Sequence, residues 1–437
     1  MKQKITSKTI ITGAALLAAL TTQTGAQQAD ALLDKLVQKG ILTLEEAQSI
    51  REESDKGFNQ AFQIKTGMPD WVKSMRINGD FRGRYEGFFL DEDVDRNRFR
   101  YRLRAGVTFD LIDNFEVGFR VASGGTDDPI STNQTLEKNA TKKPIAIDLA
   151  YGKWNPVNNK DWNIILSLGK IENPFVFSDM VFDPDYTPEG LSQLVSYNIN
   201  SKHKLRLILG EFVLGELSAS SNDPYLLASQ LRLDSKWSDK IESSFGVSAL
   251  TIEGAQSLIN GLVPNVNIGN SRSGADGWLD NHFNPVVVDG SFTYKLAEFP
   301  FYKGAFPIKI SADYMNNPAA SRASDAYSAG ITFGKAGKKN TWEIQYRYKE
   351  LQANAWWEEV VDSDFGAYYK SALPNSGQKS GYRTGTNVKG HIVKAAYSPF
   401  NSLTFSITYF DTELVDKVVP TDSGHAGRLQ VDALWKF

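Results

Sequence analysis

The 437 residues contain no cysteine. That excludes a disulfide framework and a lipid-modified N-terminal cysteine, so nothing covalent staples the fold. Histidine is scarce as well: His203, His282, His391 and His425 are the four, scattered and without the spacing of metal ligands. Neither sign of charge dominates, since 48 basic side chains stand against 51 acidic ones for a net charge of −3. Nucleic acid is therefore not expected as a partner. Past the N-terminus no stretch reaches the roughly 18 apolar residues of a membrane-crossing helix. Hydrophobic residues make up 41% and mean hydropathy is −0.34. A soluble protein has such values, but so does a membrane barrel, because only alternate residues of its strands face lipid.

What is present begins with "MKQKITSKTIITGAALLAALTTQTGAQQA". Lys2, Lys4 and Lys8 form a basic region, Ile10 to Leu20 a short apolar core and Thr24-Gly25-Ala26 a small-residue cleavage site, the three parts of a secretory signal. The apolar core is too short to span about 30 Å of hydrocarbon, so residues 1–26 read as a signal peptide cut after Ala26. Residues 27–72 read as a periplasmic helical hairpin and linker. Leu32, Leu33, Leu36 and Val37 form an apolar stripe, Gly40 is the stop, and Thr43 with Glu46 caps a second helix.

From residue 73 to 437 the period changes to two. In "RFRYRLRAGVTFDL" the odd positions from Phe99 to Leu111 are apolar, while Arg98, Arg100, Arg102 and Arg104 occupy the even ones. Side chains alternate across a strand. The spacing predicts strands over 75–87, 97–111, 115–123, 144–154, 162–171, 191–199, 203–214, 225–237, 241–252, 286–296, 307–315, 325–334, 341–351, 388–398, 402–410 and 427–437. Short connections such as "IDN" and "PFN" alternate with long ones such as 253–285 and 352–387, the pattern of an outer-membrane barrel with short periplasmic turns. The expected fold is all-β: a closed antiparallel transmembrane barrel of about sixteen strands. Fourteen or eighteen stay open, because "LRLILGEFVL" calls for a bulge or phase slip at Ile208 to Leu214 and the connection 297–306 is long. A barrel must close, so the last strand must meet the first, which places Trp435 and Phe437 on the lipid-facing parity at the periplasmic rim.

Three stretches carry a resemblance: "WVKSMRINGDFRGRYEGF", "GKIENPFVFSDMVFDPDYTPEGL" and the terminal "LWKF". There the chain resembles a family of Gram-negative porins distantly similar to phosphate-selective porins, and the helical hairpin looks like that family's leader. The resemblance implies an outer-membrane diffusion channel, a homotrimer in contact with outer-membrane lipid, with no cofactor and no catalytic site. The terminal phenylalanine resembles the signal read by the barrel-assembly machinery. By parity the lumen carries Arg82, Arg84, Arg98, Arg100, Arg102, Arg104 and Arg120. The connection 172–190, which in general porins folds inward as a constriction, brings Glu172, Asp179, Asp183, Asp185 and Glu189. These are expected to face the arginines across a water-filled eyelet that passes small hydrophilic solutes and ions. Asp148, Arg232, Asp234, Lys236, Lys295, Asp313, Glu343, Arg347, Lys349, Lys394, Arg428 and Asp432 make the other inward charges mixed, with a small basic excess that suggests a mild anion preference. A second reading pairs the arginines with Asp80, Glu86, Asp110 and Glu116 in a lattice that only stiffens the wall. The alternatives to a porin are a structural or adhesion barrel with a closed lumen and, third, a barrel hydrolase. The latter needs a histidine beside a nucleophile or acid.

Overall fold

The computed structural model describes residues 67–91, 94–218, 221–265, 268–366, 368–369, 382–383, 385–417 and 425–437. The signal peptide and nearly all of the helical hairpin and linker lie outside these residues. Sixteen long strands follow in chain order: β1 Val72–Leu90, β2 Arg96–Leu111, β3 Phe115–Ser123, β4 Ile145–Asn158, β5 Trp162–Lys170, β6 Glu189–Asn198, β7 His203–Val213 and β8 Tyr225–Lys236. They continue with β9 Ile241–Glu253, β10 Val286–Leu296, β11 Phe306–Asn316, β12 Asp325–Gly334, β13 Thr341–Leu351, β14 Val388–Phe400, β15 Leu403–Leu414 and β16 His425–Lys436. The shortest, β3 and β5, have nine residues, about what a tilted strand needs to cross the hydrocarbon layer.

Each strand pairs antiparallel with its neighbours in sequence, and β1 pairs with β16 in a register running from Asp80 opposite Lys436 to Leu90 opposite Ala426. The sheet closes on itself and leaves no edge, the one way a sheet can sit in a bilayer. At the seam Phe437 donates its amide to the Gly79 carbonyl at 3.1 Å and accepts from the Gly79 amide at 2.9 Å. A side chain at position 79 would collide with the Phe437 ring and with the Arg104 carbonyl, so this close approach requires glycine. Residues 67–75 with 109–112 belong to a small unit of their own, in which the Ile112 amide donates to the Trp71 carbonyl at 2.9 Å.

The outward parity is apolar. Phe81, Phe99, Leu103, Phe245, Ile310, Ile344, Ile407 and Trp435 are all exposed in the isolated chain. The expected slip at Ile208 to Leu214 is absent: β7 holds one register against β6 and β8 throughout. Ile208 and Phe212 break the polar-inward rule because they face inward onto apolar side chains of an infolded segment, and both are fully buried. Register shifts fall instead at Arg120/Val121, Trp154/Val157 and Tyr397/Phe400. The main hydrophobic core thus lies inside the bore. Met180, Val181, Phe212, Phe283 and Trp356 are among its fully buried members, each contributing about 1.5–3 kcal/mol by leaving water.

Candidate functional site

Strands β1, β2 and β16 stand side by side, so their inward positions gather the arginines on one wall. Arg84 binds Asp432 at 2.7 Å and Asp364 at 3.0 Å. Arg428 binds Glu86 at 2.6 Å and Asp364 at 2.8 Å. Arg98 also pairs with Glu86, while Arg100 reaches that carboxylate only at 3.6 Å and gives a hydrogen bond to the Asn133 carbonyl at 3.2 Å. Arg82 has no carboxylate partner among the described residues; its guanidinium donates to the Asn133 side chain at 2.6 Å. Arg102 and Arg104 share Asp80 on β1, at 2.9 and 2.7 Å, and Asp185 at 3.0 and 3.2 Å. Arg120 pairs with Asp148 on β4 and with Glu172 at 3.2 Å.

Asp185 comes from residues 171–188, which enter the bore because they cannot stay in water. Phe175, Met180, Val181, Phe182 and Tyr186 are buried there, and Pro174, Pro184 and Pro188 limit the backbone. The segment is fastened to several walls. Val176 exchanges two hydrogen bonds with the Gln230 amide on β8, at 2.9 and 3.0 Å. Ser178 donates to Asp313 on β11 at 2.7 Å. Asp179 binds Arg347 at 3.0 Å and Lys349 at 3.2 Å on β13. With Asp185 on the arginine wall, the segment spans from β2 to β13. Glu172, Asp179 and Asp185 meet cations directly, at ion-pair distance. Glu189 is outside it: as the first residue of β6 it pairs with Lys170 at 3.0 Å. Of the stiffening partners foreseen for the arginines, Asp80 and Glu86 take that place, whereas Asp110 accepts from Ser74 and Glu116 binds Arg76 and Lys153.

Sequence reasoning did not single out a second infolded segment, 352–366. "AWWEEVVDSDFG" reads as an external loop, yet its Trp, Val and Phe spacing is a core signal, and Trp356, Val360, Val361 and Phe365 are buried. The two segments are laced together: Asp183 N donates to Val360 O at 2.8 Å, Trp356 Nε1 to Val181 O at 2.9 Å and Asp362 N to Asp179 O at 3.2 Å. Below them Lys349 is held by Asp362 at 2.9 Å, with its ammonium 4.2 Å from the Phe365 ring centre. Above, Glu358 forms a fully buried pair with Arg272 at 2.7 Å.

Two carboxyl groups in these segments, Asp183 and Glu359, have no ion pair among the described residues. Asp183 is capped by the amides of Asp185 and Ser363, at 2.8 and 3.1 Å. Burial raises it well above the usual carboxylate range, and the neighbouring Asp185 and Asp362 add to this. Glu359 accepts from the Asn265 amide and side chain, both at 3.0 Å. Burial and then the adjacent Glu358 push it up to about 8, so Glu359 carries a proton at neutral pH.

Two cavities lie at the short-turn end of the lumen. The first, about 440 Å³, is lined by Arg82, Arg84 and Arg102 against Asp183, Asp185 and Asp364, with Lys394, Glu343 and Asp432 beside them. The second, about 480 Å³, is lined by Lys202, Lys204, Arg206, Lys236 and Lys309 with only Asp234 and Glu242 for acids. Arg206 pairs with Asp234 and Lys236 with Asp239. For Lys202, Lys204 and Lys309 no ion pair exists among the described residues.

His203 lines the second cavity, and the other three histidines line neither. His203 touches Ser235 at 2.9 Å, His282 touches Gln256 at 2.8 Å, and His391 bonds Tyr346 at 2.9 Å on the outer face. His425 bridges Asp411 and Asp91.

Residues 88–258 match the model of a family described as "Putative porin". Among solved structures, OprB of Pseudomonas putida is similar over 88% of this chain and 97% of its own, at 11% identity and a TM-score of 0.50. OccK8 (OprE) of Pseudomonas aeruginosa aligns over 84% of this chain and 99% of its own, at 10% identity and a TM-score of 0.43. No curated protein matches the chain. At such identity the OprB likeness is one of fold alone.

Proposed function

We infer that this chain, a porin of the bacterial outer membrane, works as a passive diffusion channel for small hydrophilic solutes and ions, with no catalytic step. The observation that carries this is the closed sixteen-strand barrel with an apolar outer face and charged, cavity-bearing lumen. Transport through such a protein depends on the width and field of its narrowest part. That part is formed by the 171–188 and 352–366 segments together, and Arg82, Arg84, Arg98, Arg100, Arg102, Arg104 and Arg120 with Glu172, Asp179, Asp183 and Asp185 set its charge. A hydrolase would need a nucleophile, base and orienting acid in contact. The nearest pair, His203 with Ser235, has no carboxylate on the other ring nitrogen among the described residues.

Our reading includes a mild anion preference. Most wall arginines are neutralised by carboxylates in contact, so the net positive field comes chiefly from Lys202, Lys204 and Lys309 in the second cavity. We also propose a signal-peptide-directed export, a homotrimer, and recognition of Trp435 and Phe437 by the barrel-assembly machinery, as the family resemblance implies. The test is conductance and reversal potential of the refolded protein in a planar bilayer under a salt gradient. Stepwise openings with an anion-selective reversal potential are expected. A folded barrel that passes no current would favour the closed adhesion barrel.

A further inference from the structure

The connection between β10 and β11 is the longest of the short-turn side, and it spends its length on aromatics: "AEFPFYKGAF". It folds back on the barrel's own outer face. By register Phe306 pairs with Leu296 and Trp342 with Tyr397, on the outward parity. Phe299 stacks on Phe306 with ring centres 4.0 Å apart and meets Trp342 at 5.7 Å, while Tyr302 meets Phe306 at 4.9 Å. Phe306 is thereby fully buried. Phe301, at the tip, is 94% exposed.

The tip is held in a demanding conformation. Tyr302 N donates to Phe299 O at 3.2 Å, closing a turn whose corners are Pro300 and Phe301. Phe301 has φ of 58°, in the left-handed region where such a turn ordinarily carries glycine or asparagine. Lys303 N anchors to Asn340 O at 3.1 Å and the Tyr302 hydroxyl to Lys335 O at 3.1 Å. The finger is therefore fixed to the next short turn. The finger and the turn that anchors it carry Lys303, Lys335, Lys338 and Lys339, none with an ion pair among the described residues, while the finger's own carboxylate is Glu298.

We propose that this finger is a lipid anchor: Phe301 inserts between phospholipid headgroups of the inner leaflet, and the surrounding lysines contact their phosphates. Three features favour that occupant over another macromolecule. The finger continues the lipid-facing wall instead of the lumen or the turn ends, its rim is cationic where the headgroups are anionic, and an aromatic tip with basic flanks suits a membrane interface. A strained aromatic exposed to bulk water would be a cost without return.

The proposal rests on the outer-membrane reading, and the absence of cysteine allows both to be tested separately. Single variants Phe301→Cys, Phe292→Cys at the outward middle of β10 and Asp239→Cys on another short turn are spin-labelled. They are then refolded into vesicles of phosphatidylethanolamine and phosphatidylglycerol. Collision with oxygen, which partitions into lipid, is compared with collision with a water-soluble nickel chelate. We expect the oxygen-to-nickel ratio at 301 to exceed that at 239 several-fold and to approach that at 292. A label at 301 as wet as 239, with 292 in lipid, overturns the anchor alone. A label at 301 shielded from both reagents assigns the finger to a protein contact and overturns it as well. A wet label at 292 refutes the membrane reading itself.

Discussion

The two lumen cavities are nearly equal in volume and opposite in design. The first is walled mainly by paired charges: Arg84 and Arg428 converge on Asp364, and Arg102 and Arg104 converge on Asp185. Its polar side chains hold the two infolded segments in place. The second keeps lysines on long flexible stems with few acids opposite, so its charge remains available to a passing ion. A lumen thus separates two jobs that composition alone lumps together. On the proposed reading, paired charge builds the constriction and unpaired charge sets the field.

The largest effect should follow from breaking the first cavity. Asp364→Ala leaves Arg84 and Arg428 buried without that partner, and losing one member of a buried pair costs about 3–5 kcal/mol. A lowered thermal unfolding midpoint and a larger, noisier conductance are expected; an unchanged midpoint would show that the network is not structural. Next comes pH. Glu359 is held near 8 against an ordinary 4.5, so the folded state binds its proton more tightly than the unfolded state does. Its contribution is full below about 4.5, declines as pH rises and is gone above about 8. The barrel should therefore lose stability between pH 5 and 9, and Glu359→Gln should flatten that slope in a melting series.

Smaller effects sharpen the contrast. Arg100→Ser with Arg102→Ser should shift the reversal potential towards cations, with reduced stability because Asp80 and Asp185 lose a partner. An unchanged potential would remove these arginines from the selectivity machinery. Smallest in stability but clean in selectivity is Lys204→Gln with Lys309→Gln. A comparable shift towards cations is expected with an unchanged melting point, and a collapse of folding there would contradict the division between the cavities.

Much of the fold was legible because membrane strands obey one rule. The alternation in Phe99 to Leu111 gave β2 and its inward arginines, and all sixteen strands fall where the period of two places them. The rule failed at Ile208 and Phe212, where apolar residues face inward. Parity reports which face a side chain takes, and the polarity of each face is an added assumption that an infolded segment reverses. The pairing of Asp185 with Arg102 was out of reach for the same reason: strand registers follow from the pattern, whereas the path of a loop through the bore depends on contacts far apart in sequence. The 352–366 segment did leave a trace, since Trp356, Val360, Val361 and Phe365 are too apolar for an external loop.

The seam at Gly79 and Phe437 also has a kinetic meaning. Every other pairing among the sixteen long strands joins sequence neighbours, so fifteen hairpin contacts can form as local events. The β1–β16 pairing instead carries the loop-closure entropy of nearly the whole sheet. Until it forms, both terminal strands present unpaired backbone, which is an invitation to join a second chain. The two hydrogen bonds between Gly79 and Phe437, and the missing side chain that lets the ring pass, lie at the step that decides between one finished ring and an aggregate.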